Sequence, residues 1–282
     1  MSLLVGAGLS QSATSDVVAD ARWLEEHGFD FLTITDHLPG RRPSLETWTQ
    51  LTWVAAHTVR ILVGTNVLGL PYRSPAVLAK MVETLDRLSG GRLILGLGAG
   101  GSNEEFSSMG LPVRTPGEKI DALEEALTIM RGLWTEATFT FQGRHYQVRD
   151  AQLEPKPERR IPIWLGTYGK RSVSLTGRLA DGWLPSMPFA PPERMAELRE
   201  LLLRAAEDAG RDPAEITVAY NVSVQIGEGL RADERSVTGG PDQVTTRLRE
   251  LVDRLGLGAI SLWIRGADQR QRFAEEILPA LR

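Results

Sequence analysis

The chain contains no cysteine among its 282 residues, which removes disulfides, thiolate-bound metals and a cysteine nucleophile at once. No stretch approaches the roughly 20 apolar residues that a membrane-spanning helix needs. The opening residues, MSLLVGAGLSQS, show neither the basic start nor the long apolar run of a secretory leader. A cytoplasmic protein is therefore expected. Histidine is scarce. The four residues His27, His37, His57 and His145 show no metal spacing and no H-E-x-x-H. Neither charge dominates, with 32 Lys+Arg against 36 Asp+Glu, so no face-wide basic surface for nucleic acid is expected, although one local anion site is compatible. No serine sits in a nucleophile elbow. No linker, low-complexity run or strict repeat divides residues 1–282, which are read as one domain.

What is present is an alternation. Short segments rich in Val, Ile, Leu and Gly recur at 3–8, 31–35, 60–67, 92–98, 161–166, 181–186, 216–226 and 259–264. Longer segments with helical period separate most of them. Val77, Leu78, Met81, Val82, Leu85 and Leu88 share one face, as do Val244, Leu248, Leu251, Val252 and Leu255. Ser15 is placed to cap a helix over 16–27 with Gly28 beyond its end, Pro75 opens the third helix, and Gly90-Gly91 close it. The strands are apolar throughout rather than alternating, which means burial on both faces and hence a parallel sheet covered by helices. About eight such units in this length predict a (β/α)8 TIM barrel. The alternating stretch TFTFQGRHYQV, residues 138–148, predicts a small hairpin around Gln142-Gly143, within an insertion spanning about 136–160.

In such a barrel chemistry sits where strands end. FLTIT runs directly into Asp36 and His37, with Pro39-Gly40 turning the chain away. Asp36 could cap the loop and orient its neighbour at once. The other strand ends carry GTNVLGLPYRS (64–74), GLGAGGSNEEF (96–106) and GTYGKRS (166–172). GLGAGG matches G-x-G-x-x-G, but a dinucleotide site needs a helix to begin at once, and here SNEEF follows with two carboxylates facing any phosphate. The glycines instead offer bare backbone to a flat ligand, or form a plain tight turn. Gly169, Lys170 and Arg171 open a helical stretch, where free N–H groups and a cation suit a phosphate. Solvated cations are the alternative there.

Taken together, these motifs resemble the luciferase-like flavin and deazaflavin oxidoreductases. The resemblance covers nearly the whole chain, through ITDHL, PAVLAKMVETLDRLSGGRLILGLGAG, EKIDALEEALTIMRGLW, IPIWLGTYG, GRLADGW and GGPDQVTTRLRELV. It implies a (β/α)8 barrel with an insertion, in agreement with the strand count. The Asp-His pair looks like members that use coenzyme F420, a deazaflavin; FMN is the alternative cofactor. The resemblance places Asp36 and His37 beside the ring as catalytic residues. It makes Asn66-Val67 a non-prolyl cis peptide backing that ring, and brings Gly98, Ala99 and Gly100 to the cofactor. Tyr168, Gly169, Lys170 and Arg171 would wrap the phosphate. Gly101 departs from relatives that carry a large or acidic residue there, implying a roomier pocket.

The implied reaction is hydride transfer between a small organic substrate and C5 of the deazaflavin, with His37 relaying a proton. Histidine suits that task because its unperturbed pKa of about 6.5 lets it give and take protons near neutrality. An FMN-dependent monooxygenase and a non-catalytic cofactor-binding relative are the alternatives. A phosphate-binding lyase would need a lysine or carboxylate constellation that the strand ends do not supply. The family also implies a homodimer. Pocket walls are expected from 38–45, 101–115 and 184–192.

Overall fold

The computed structural model describes residues 3–38, 40, 43–230 and 235–282. Pro39, expected in the turn after His37, lies outside the described residues, as do Arg41 and Arg42 of the expected pocket wall. The strands are β1 (Leu4–Gly8), β2 (Phe31–Ile34), β3 (Leu62–Thr65), β4 (Leu68–Gly69), β5 (Leu93–Gly98), β6 (Phe139–Gln142), β7 (Gln147–Ala151), β8 (Ile163–Leu165), β9 (Gly182–Trp183), β10 (Thr217–Ile226), β11 (Ser236–Gly239) and β12 (Ala259–Ile264). Among the described residues eight of these close a parallel ring in the order β1, β2, β3, β5, β8, β9, β10, β12 and back to β1. β4 and β11 extend the sheet outside the ring, and β6 and β7 pair antiparallel. Every apolar segment read as a strand lies in that ring. The chain is a TIM barrel.

The apolar runs are buried on both faces because helices cover the outside and side chains fill the inside. The outer helices are α1 (Val17–Glu26), α2 (Thr47–Ala56), α3 (Pro75–Leu88), α4 (Asn103–Ser108), α5 (Pro116–Thr135), α6 (Lys170–Leu179), α7 (Pro192–Asp208), α8 (Pro241–Leu255) and α9 (Ala267–Arg272). The interior plug is a separate cluster of Phe31, Ile94, Trp164, Leu184, Ala219 and Ala259. Phe31 and Trp164 meet edge to face at 6.0 Å. They fit because a Cβ on Gly6 would lie 2.4 Å from the Phe31 ring and one on Gly182 2.3 Å from Trp164.

Two local readings change. Asp16, not Ser15, caps α1, its carboxylate accepting from the Ala19 N–H at 3.0 Å. On α3 the buried stripe is Leu78, Ala79, Val82 and Leu85, while Val77 and Leu88 are exposed. Helical period finds a face, but the barrel covers only the part of it that the neighbouring helices leave free. The β6–β7 hairpin follows α5, and its tip is tied down by Glu125, whose carboxylate accepts from the N–H groups of Arg144, His145 and Tyr146 at 2.7–2.9 Å. Among the described residues no helix is long and apolar enough to cross a membrane.

Candidate active site

Past β2, the neighbours Asp36 and His37 have opposite surroundings, buried and exposed. Asp36 turns inward and is buried, whereas the His37 side chain is 66% exposed at the mouth of the barrel. Asp36 Oδ2 accepts from the Gly69 N–H at 2.8 Å and from Arg73 Nη1 at 2.9 Å. Arg73 also reaches Glu46, the cap of α2. Burial alone would raise the Glu46 carboxyl, but the Thr49 and Trp48 N–H groups and the Arg73 cation hold it below the usual range. A buried carboxylate thus clamps the loops after β2 and β4 to the start of α2. His37 turns the other way, its Nδ1 lying 3.1 and 3.2 Å from the two carboxylate oxygens of Glu105 on α4.

The floor of the mouth lies on top of the interior plug. The peptide between Asn66 and Val67 is cis. Asn66 and Asn221 exchange two amide hydrogen bonds, Nδ2 to Oδ1 at 2.5 Å one way and 3.0 Å the other. Asn221 also donates to Ser186 Oγ at 3.1 Å, and Thr33 and Ser261 hydroxyls meet at 3.3 Å beside them. This polar layer joins Thr33 of β2, Asn221 of β10 and Ser261 of β12 to Asn66, just past β3. Val67 rises next to it as an apolar knob. A Cβ on Gly98 would lie 2.8 Å from Val67 Cγ2, and one on Gly166 2.9 Å away. Those two glycines give their space to Val67, and Val67 in turn is the surface a ligand would meet. Ala99 and Gly100 follow, half-buried.

Across the mouth, α6 begins at Lys170 with Gly169 as its cap and no acidic residue in its first turn. Its leading N–H groups have no acceptor within the helix. Lys170 is exposed beside them. Arg171 is committed elsewhere, paired with Asp121 of α5 and donating to the Gly117 carbonyl at 3.3 Å. Tyr168 is braced too. Its hydroxyl accepts from the Ser186 N–H at 3.2 Å, its ring meets Phe189 at 5.4 Å, and burial pushes its phenol up. Arg194 donates to the Tyr168 carbonyl at 3.1 Å, bringing a second cation to this end. A helix N-terminus whose cap, Gly169, has no side chain to satisfy its N–H groups fits a phosphate together with Lys170, and the Val67 knob framed by glycine fits a flat ring.

The sequence-read residues therefore come together at one mouth, but with divided labour. His37, Gly169 and Lys170 are exposed past the ends of β2 and β8 and Val67 is half-buried past β3, while Asp36, Tyr168 and Arg171 are engaged by Arg73, Ser186 and Asp121. Sequence reasoning missed Arg73, Tyr72, Glu105, Asn221 and Ser261. For Ser261 a signal existed, since it is the one polar residue inside the apolar strand β12; Asn221 stood out less, because β10 also holds Thr217, Ser223 and Gln225. Glu105 carried none beyond being one of two carboxylates after β5.

Residues 3–232 match the model of a family described as luciferase-like monooxygenases. The F420-dependent glucose-6-phosphate dehydrogenase of Microbacterium testaceum is 29% identical over 308 residues, covering 92% of this chain and 90% of that protein. The enzyme of the same name from Kineococcus radiotolerans is 31% identical, covering 79% of this chain and 67% of its own length. The solved structure of an F420-dependent secondary alcohol dehydrogenase with an F420-acetone adduct superposes over 100% of both chains with a TM-score of 0.88 and 19% identity, a likeness of fold.

Proposed function

The chain belongs to the luciferase-like monooxygenase family, and from that premise we propose that it is an F420-dependent oxidoreductase. It moves a hydride between the deazaflavin and a small organic substrate whose reacting carbon carries a hydroxyl. Relatives named for F420 and for dehydrogenation support the cofactor and the reaction class. The observation that carries the site is the exposed imidazole of His37 just past β2, with Val67 just past β3 and the open N-terminus of α6 past β8, at the same end of the parallel ring.

When bound, the deazaflavin would supply the hydride acceptor, its C5. The protein's own groups do the rest. Val67 would back the ring, and the α6 N–H groups with Lys170 would hold the phosphate. Asp36 fixes the end of β2 so that His37 stands at the substrate. As the substrate C–H bond breaks, its electron pair leaves as hydride and the O–H pair becomes the second carbon–oxygen bond. His37 takes the hydroxyl proton. Both reactants are held in place, which removes the entropic cost of bringing them together.

Reduction of F420 is followed through loss of the oxidised cofactor's visible absorbance against a panel of alcohols, hemiacetal sugars and sugar phosphates. Reduction with one carbonyl product per cofactor is expected. Oxygen consumption with FMN, and no reduction of F420 by any member, would overturn the reading. A homodimer belongs to the same proposal, because Trp53, Val77 and Leu88 leave an exposed apolar flank along α2 and α3. Sedimentation as a 31.0 kDa species only would remove it.

A further inference from the structure

We propose that Glu105 is a positioning residue for His37: it accepts the Nδ1 hydrogen and so leaves Nε2 bare as the proton acceptor toward the substrate. The inference rests on the hydride-transfer reading above. An ionised carboxylate can only accept. An imidazole whose Nδ1 lies 3.1 and 3.2 Å from two carboxylate oxygens therefore offers N–H there. In the neutral ring the lone pair is then on Nε2. A base at a hydroxyl needs that tautomer.

Glu105 is held in place by contacts that do not involve His37. Its neighbour Phe106 is buried and meets Tyr72 edge to face at 5.0 Å. The backbone closes over Phe106 at Gly100, where φ is +95° and a Cβ would lie 2.7 Å from the ring and 2.9 Å from Pro71. Lys119 of α5 spans the same loop, donating to the carbonyls of Gly100 and Gly101 at 2.9 and 3.1 Å, with its ammonium 5.5 Å over Phe106. Tyr72 then donates its hydroxyl to Glu105 Oε2 at 3.1 Å. Burial and then the Glu105 carboxylate push the Tyr72 phenol up to about 12, so it stays a donor throughout the neutral range. Three loops, after β2, β4 and β5, thus converge on one carboxylate. A chance surface pair between long side chains has no such support and contributes little.

The test uses the full chain with ¹⁵N-labelled histidine, the His37 signals being assigned by their loss in His37→Ala. The wild type is expected to show a protonated Nδ1 and a bare Nε2. Glu105→Ala should mix the tautomers and lower kcat with F420 by about 10-fold or more, with KM and the F420 Kd within threefold. Glu105→Gln, whose carbonyl can still accept, should restore the tautomer and part of kcat. Tyr72→Phe should shift both readouts in the direction of Glu105→Ala, by less. A wild type without the signature, an Ala variant with an unchanged tautomer, or a changed tautomer with kcat within twofold overturns the inference. If the wild type does not turn over F420 at all, that failure belongs to the cofactor reading, and the tautomer alone decides the role of Glu105.

Discussion

At the residue scale, two adjacent positions just past β2 do different work. Asp36 is buried against Arg73, whose side chain is 11% exposed, so removing the carboxylate strands a cation in a dry site. Breaking a buried pair from one side costs about 3–5 kcal/mol. Asp36→Ala should lose about that much in urea denaturation, with the lower end favoured because Arg73 keeps Glu46. An unchanged midpoint would contradict the clamp. His37→Ala should unfold like the wild type, bind F420 within threefold, and turn over about 10²-fold more slowly. Turnover equal to wild type would remove its proton-relay role. The sequence placed both residues at a strand end but could not separate them. Their partners, Gly69, Arg73 and Glu105, are 33, 37 and 68 residues away. Spacing alone does not reveal which of two neighbours turns inward.

At the element scale, the loop from β5 to α4 and helix α3 each make a prediction. Gly100 has φ +95° and ring and proline atoms inside 3 Å of a built Cβ, whereas a Cβ on Gly101 meets nothing within 4 Å. Gly100→Ala should destabilise by about 1–3 kcal/mol and disturb the seat of Glu105, while Gly101→Ala should leave the melting temperature unchanged. Calorimetry on the pair checks this, and equal effects would contradict it. On α3, burial alone would raise the Glu83 carboxyl, but hydrogen bonds from Arg87 and Lys80 outweigh it and hold the group below its ordinary value of 4.5. A lowered folded-state value adds stability above the unfolded-state value and loses it as pH falls through the folded one. Stability should therefore drop below about pH 4.5, and Glu83→Gln should flatten that slope. A variant with the wild-type pH profile would show that Glu83 is not the source. Helix period located α3 but overstated its buried face. Val77 and Leu88 carry the right spacing, and only the docked barrel shows them outside.

At the scale of the whole molecule, the barrel was legible because its signal is local. Apolar runs of strand length, recurring between amphipathic segments, lie within the ring of eight strands. The mouth was legible in outline for the same reason, since each strand end is read from its own sequence. The polar floor was not. Asn66 and Asn221 are 155 residues apart, and their amide pair exists only once the ring has closed. What the closed ring offers is one mouth with an apolar knob, a helix start without a side-chain cap and an exposed histidine, which together suit a planar cofactor with a phosphate tail. The most direct test of that claim is titration of the intact chain with F420 and, in parallel, with FMN, read by tryptophan fluorescence. The account predicts saturable, one-to-one binding of F420, tighter than any response to FMN. Tighter binding of FMN, or no binding of F420, would contradict it.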